Sequence, residues 1–227
     1  MTNKSWRQKN RCLLLTLLTV GSYALNLRFG SVATAKLFDG PVDQLPVEQR
    51  VSLRRGEVVF LGEEGEYVVR LLVKTSVEHA WQVLTDYENF AEFLPGVTSI
   101  ELLENNGDRK VFEQINKIKT FIFSIESRVK IATTESYPAQ IDFKAVDGDL
   151  AALKGMWTLE PVSPYPSAPP DQVLITHRVS VEPGKSPGDS IFFGIYEDRL
   201  EETLEAIKQE VEKRTINKQD KAAISIN

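Results

Sequence analysis

Cysteine occurs once in the 227 residues, and histidine and methionine twice each. With Cys12 as the lone thiol no internal disulfide can form, so cysteine usage leaves the redox compartment open. His79 and His177 have no accompanying cysteine or carboxylate cluster of metal-ligand spacing. GxSxG, a P-loop and the dinucleotide glycine fingerprint are all missing, so neither a nucleophile elbow nor a nucleotide site is indicated and no cofactor is expected. A cationic excess is missing too. The first 35 residues hold Lys4, Arg7, Lys9, Arg11 and Arg28 and no acid, which leaves 22 basic against 32 acidic side chains in the remainder, a net charge of −10. Such a body lacks the phosphate-tracking face of a nucleic-acid binder, and it argues against electrostatic docking on anionic lipid. Nothing in the sequence specifies an oligomeric state.

Long hydrophobic runs are scarce. The longest, Cys12 to Leu25 (CLLLTLLTVGSYAL), follows the basic MTNKSWRQKNR and precedes small residues at Ala33-Thr34-Ala35. This is the order of a secretory signal over residues 1–35, which would export the chain to a periplasm or lumen. The alternative is an uncleaved membrane anchor, although Arg28 cuts the run short of the ~20 residues a spanning helix needs. Residues 36–57, with Pro41 and Pro46, show no sustained periodicity and read as a leader segment.

What is abundant is alternation. Val58 to Leu61 and Glu66 to Lys74 read as strands about a Gly62–Gly65 turn, with Tyr67, Val69, Leu71 and Val73 on one face. Thr75-Ser76-Val77-Glu78 fits a capping box opening a helix whose buried stripe is Val77, Trp81 and Leu84. Asp86 to Asn89 caps a second short helix through Phe93, ended by Pro95-Gly96. Strands are expected at 97–104, 109–119, 121–134, 139–147, 152–162 and 172–182, with Asn105-Asn106-Gly107-Asp108 as a hairpin turn and the proline-rich Ser163 to Asp171 as a loop. Short connections make the sheet antiparallel. In it Phe121, Phe123, Ile125, Val129 and Ile131 alternate with Glu126, Arg128 and Lys130, and Ile141, Phe143 and Ala145 with Asp142 and Lys144, so one face is apolar and the other solvated. From Ser190 to about Arg214, Phe193, Tyr196, Leu200, Leu204, Ile207 and Val211 recur at helical spacing against a Glu/Lys-rich face. The domain is therefore expected over 58–214, followed by a polar tail at 215–227.

A strand, two short helices, a run of antiparallel strands and one long terminal helix is the order of an α+β helix-grip fold. Val77-Glu78-His79-Ala80-Trp81-Gln82-Val83-Leu84-Thr85-Asp86-Tyr87-Glu88-Asn89-Phe90, Phe93-Leu94-Pro95-Gly96-Val97, Phe143 to Leu150 and Gly155-x-Trp157-x-Leu159 carry the resemblance. On them the chain resembles the START-like, polyketide cyclase/dehydrase and lipid-transport superfamily over about 66–214, and within it coenzyme Q-binding proteins of bacterial type. The resemblance implies a curved sheet gripping the helix around a cavity for a hydrophobic small molecule, such as a quinone, isoprenoid or lipid.

The residues themselves agree with that implication. A bent sheet and an amphipathic helix leave space unless aromatics fill it. Phe90, Phe93, Phe121, Phe123, Phe143, Trp157, Phe192, Phe193 and Tyr196 either line such a cavity or pack the core. His177, in phase with Val173, Ile175, Val179 and Val181, faces inward. It is either a core histidine satisfied by a neighbour or a hydrogen-bond partner for a ligand carbonyl or hydroxyl. His79 is expected to face solvent, and Asp147-Gly148-Asp149 reads as a tight turn because it lacks the remaining positions of a calcium loop. Three functions stay open: a non-enzymatic carrier with transient membrane contact, an aromatase/cyclase-type enzyme in which His177 and a carboxylate or tyrosine converge, and an interaction module with a filled core.

Overall fold

The computed structural model describes residues 39–119, 124–184 and 189–224. The N-terminal segment, Phe121 and Phe123 lie outside the described residues. The α+β helix-grip arrangement forms as expected. β1 (Val59–Glu63) and β2 (Glu66–Val73) make the first hairpin, and α2 (Val77–Leu84), a 3-10 turn (Tyr87–Asn89) and α3 (Phe90–Phe93) interrupt the strands. Then come β3 (Val97–Asn106), β4 (Arg109–Lys119), β5 (Ser124–Ser136), β6 (Gln140–Gly148), β7 (Ala152–Val162), β8 (Gln172–Glu182) and α4 (Asp189–Ile224). All pairings are antiparallel in the order β1-β2-β8-β7-β6-β5-β4-β3. Register shifts in β3 and at Lys130/Ile131 each add a residue on one side, which bends and twists the strands.

One face of the bent sheet receives α4. Tyr67, Val69, Leu71, Val73, Val173, Ile175, Val179 and Val181 meet Leu200, Leu204, Ile207 and Val211 in the main apolar core, with Ala80, Trp81, Val83 and Leu84 of α2 closing one side. Tyr67 to Val73 thus behave as their alternation demands. On α2 the buried positions are Ala80, Trp81, Val83 and Leu84, whereas Val77 is only partly covered.

Three local expectations are corrected. Residues 36–57 are not featureless, because Val47–Arg54 forms a helix, α1, and Val42 and Leu53 bury against Val59, Leu72, Val162 and Leu174 on the opposite face of the sheet. Only Leu53 of that helix is buried, with Val47 and Val51 exposed, so no apolar stripe betrays it. The N-cap of α2 is Ser76, whose hydroxyl accepts from the His79 N–H at 3.3 Å. Thr75 is buried one position earlier and bonds the Thr215 hydroxyl at 2.8 Å. Finally, α4 does not stop near Arg214 but runs to Ile224. Thr215 to Ile224 contains no glycine or proline to end the helix. Thr215 also ties the extension to β2–α2, and Lys218 Nζ reaches His79 Nδ1 at 3.3 Å. His79 is consequently half-buried.

An ionic clamp fixes α4 to the short helices. Arg214 donates to Glu210 Oε1 and Asp86 Oδ2, each at 2.7 Å, Lys213 donates to Glu210 Oε2 at 2.9 Å, and the Arg214 guanidinium lies 5.6 Å from the centroid of the Phe93 ring. Burial opposes the Glu210 carboxylate, but these hydrogen bonds outweigh it and hold its carboxyl below the ordinary glutamate value.

Candidate functional site

Between the sheet and α4 lies a cavity of about 800 Å³. Its floor is built by β6, β7 and β8, where register sets Trp157 directly opposite His177 and Phe143 opposite Gly155. Glycine is required there. A Cβ on Gly155 would stand 2.5 Å from Phe143 Cζ and 2.2 Å from the Arg178 carbonyl oxygen. Its absence lets the Phe143 ring lie across β7 and stack on His177 at 5.4 Å and 12°, while Trp157 covers the imidazole at 3.9 Å. The histidine is thereby enclosed by two aromatic rings.

His177 is 5 % exposed, and its Nδ1 has no hydrogen-bond partner. Satisfaction by a neighbour, one of the two readings of an inward histidine, therefore does not extend to this nitrogen. Burial lowers its pKa to about 3, so the ring is neutral at physiological pH. An uncompensated polar nitrogen of this kind costs about 1–3 kcal/mol.

The remaining walls are aromatic with a polar seam. Tyr87, Phe90 and Phe112 form one corner, with Tyr87 stacked on Phe112 at 4.8 Å. The Tyr87 hydroxyl donates to Glu135 Oε1 at 3.0 Å, and the same carboxylate takes two of the hydrogen bonds from Lys110 Nζ, the third going to the Gly107 carbonyl. Phe192 and Tyr196 of α4 line the opposite wall, stacked at 5.8 Å. Tyr196 stacks in turn on Tyr67, whose hydroxyl donates to Glu197 at 2.8 Å. Burial raises the pKa of Tyr67 to about 12 and pushes Tyr87 and Tyr196 up as well. On β4, Gln114 and Asn116 share the inward phase of Phe112, and Gln114 Nε2 donates to Asn116 Oδ1 at 2.7 Å. Thr133, 3 % exposed, also lines the cavity.

Of the residues singled out from sequence, Phe90, Phe143, Trp157, His177, Phe192 and Tyr196 line the cavity. Phe93 and Phe193 do not. Phe93 turns to Phe90 and the Arg214 guanidinium, and Phe193 packs against Gly65 and the edge of Phe192. The phase of β5 is as read, with Ser127, Val129, Ile131 and Thr133 inward and Arg128 outward on Glu113 at 2.7 Å, although Glu126 reaches the cavity rim. Asp147-Gly148-Asp149 forms the exit from β6, where Gly148 has φ +125° and Asp149 Oδ2 accepts from the Arg128 N–H at 2.7 Å. Sequence reading overlooked Gln114, Asn116 and Thr133. Their signal was the same two-residue alternation, since Gln114 and Asn116 follow Phe112 and Thr133 follows Ile131. Among the described residues no group of three or more His, Cys, Asp or Glu side chains could hold a metal ion.

Solved structures share this architecture. A STAR-related lipid transfer protein fragment from Xanthomonas axonopodis aligns at 20% identity and a TM-score of 0.55, covering 68% of this chain and 92% of that one. A START superfamily protein from Mycobacterium smegmatis aligns at 20% and 0.53, covering 68% and 100%. The Zhui aromatase/cyclase from Streptomyces sp. R1128 aligns at 15% and 0.51, covering 70% and 96%. At these identities the likeness concerns the fold. No curated protein matches the chain. A family model described as polyketide cyclase/dehydrase and lipid transport matches residues 73–208, from the end of β2 into α4 and so across most of the cavity wall, and the chain belongs to that family.

Proposed function

We propose that the chain binds or carries a hydrophobic small molecule without transforming it. The observation that carries this reading is the state of the buried titratable groups His177, Tyr87 and Tyr196, in a cavity whose charged lining residues are Glu126, Asp149 and Arg199. A base with a pKa near 3 is too weak to abstract protons at neutral pH, and phenols raised by burial are too weak as acids to return them, whereas effective acid–base catalysts sit near the working pH. Gln114 and Asn116 instead offer neutral hydrogen bonds to a carbonyl or hydroxyl. Clefts of ~300–1,000 Å³ hold drug-sized ligands, so about 800 Å³ suits a ring system with a short tail better than a two-chain phospholipid. A quinone head group is one such cargo. Ile191, 49% exposed at the cavity wall, would then meet the lipid surface from which cargo is drawn. The N-terminal basic and apolar runs support delivery of the carrier to a periplasm or lumen.

The second reading is an aromatase/cyclase. It is favoured by the presence of both His177 and Tyr196 on the cavity wall, and a structural neighbour bears that name. Native mass spectrometry of residues 36–227 from the source cells, with extraction of whatever co-purifies, separates the two. A stoichiometric, chemically unaltered quinone, isoprenoid or lipid is the expected result. A clean unliganded mass with no uptake of such compounds on titration would overturn the carrier reading, and turnover of a poly-β-ketone abolished by His177→Phe would establish the enzyme.

A further inference from the structure

We propose that the outer face of the sheet is a docking trough for an extended acidic segment of another protein. It lies on the far side of the strands from the cavity and is independent of what the cavity holds. The register places Arg178, Met156, Asp142, Thr134 and Arg109 in one row across β8, β7, β6, β5 and β4. In the next row Lys154 and Lys144 stand directly opposite one another on β7 and β6. These residues line an open trough of about 700 Å³.

Like charges directly opposed on neighbouring strands are destabilising, and this pair is left unrelieved. None of Arg109, Lys144, Lys154 and Arg178 enters an ion pair among the described residues, and all four are exposed. Asp142, the carboxylate within the row, is engaged by Gln140 Nε2 at 2.9 Å, and Glu66 sits at the β2 end of the trough. On a body with 32 acids against 22 bases, four unpaired cations on one patch are a local reversal of sign.

Geometry narrows the occupant. From Arg109 to Arg178 is four strand spacings of about 4.8 Å, near 19 Å in all, which is too wide for one phosphate and matches about six extended residues at 3.3 Å each. Met156 and the buried Ala132 give an apolar floor between the cations, as an acidic segment with interspersed apolar residues requires. Residues 1–35 are cationic and would be repelled. A second copy offers acids along α4, at Asp198, Glu201 and Glu205, but α4 lies on the other side of the sheet, so such contacts would repeat head-to-tail without closing.

The probe is a fluorescein-labelled hexapeptide of alternating glutamate and leucine, with its glutamine counterpart as control, titrated into the full chain and followed by anisotropy. The acidic peptide binds and the control does not. Affinity falls at least about tenfold between about 0.05 and about 0.5 M salt. Lys144→Glu combined with Lys154→Glu abolishes binding, and Arg178→Gln, which leaves the lysine pair and hence the strand pairing as it is, weakens it severalfold. Equal binding by the double variant, or none by the wild type at low salt, would overturn the proposal. So would displacement of the peptide by equimolar inorganic pyrophosphate, which would make the trough a small-anion site, or salt-sensitive self-association of the unliganded protein in sedimentation, which would assign it to a second copy.

Discussion

The same three strands present opposite chemistries on their two faces. Inward, β6, β7 and β8 supply Phe143, Trp157 and His177, one stacked set with a buried nitrogen lacking a partner. Outward, residues adjacent to these in sequence supply Lys144, Asp142, Met156 and Arg178, and Lys154 stands beside Gly155, all reaching the trough. The inner polar group is costly because water cannot reach it, whereas the outer charges are opposed but hydrated. An equal departure from pairing is therefore worth kilocalories on one face and tenths on the other. The inner face carries the costlier departure from pairing, and the outer face can present unpaired charge at little cost.

The comparison can be broken hardest at Gly155. Gly155→Val places atoms against the Arg178 carbonyl and the Phe143 ring, and should cost about 3 kcal/mol in chemical denaturation while unstacking Phe143 from His177. Next is His177→Phe, which keeps the ring and removes the nitrogen. The folded pKa of His177 lies below its unfolded value, so its contribution is complete above about pH 6.5. That contribution is lost as pH falls toward about 3, at up to about 1.4 kcal/mol per pH unit. The variant should match or exceed wild-type stability at pH 7 and lack that part of the acid slope in unfolding curves. A variant with an unchanged slope would mean that the imidazole is not held neutral. The smallest effect belongs outside, where Lys144→Glu turns a repulsive pair into an attractive one opposite Lys154 and should raise stability by a few tenths of a kcal/mol in low salt, fading in high salt. A change as large as that at Gly155 would remove the contrast between the faces.

Much of this was legible in the chain because period-two alternation records which side of a strand is dry. Val173, Ile175, His177, Val179 and Val181 declare the inward phase of β8, and the expected bounds of β4, β7 and β8 coincide with those formed. Pattern fails where burial is carried by single residues. Leu53 alone anchors α1, so no period exists to detect. Polar residues inside an apolar phase are equally easy to pass over, as Gln114 and Asn116 were, although position alone places them inward. Choosing Thr75 over Ser76 as the cap missed by one residue because both hydroxyls suit the role, and only the contact with Thr215, 140 residues away, decides between them. Residue type alone cannot decide between cavity and core for Phe93 and Phe193, which the Arg214 clamp and the space beside Gly65 draw away from the cavity. The trough was invisible for a different reason, since it exists only once register brings Lys144 opposite Lys154.

The place of α4 in the sequence has a consequence for timing. Phe192, Tyr196, Leu200 and Ile207 close a cavity whose floor also depends on β2 pairing with β8 across about a hundred residues, so neither floor nor roof exists while the later strands are still being made. Folding of this kind waits on contacts distant along the chain. A nascent polypeptide thus has no such cavity, and the space between sheet and α4 exists only in finished molecules.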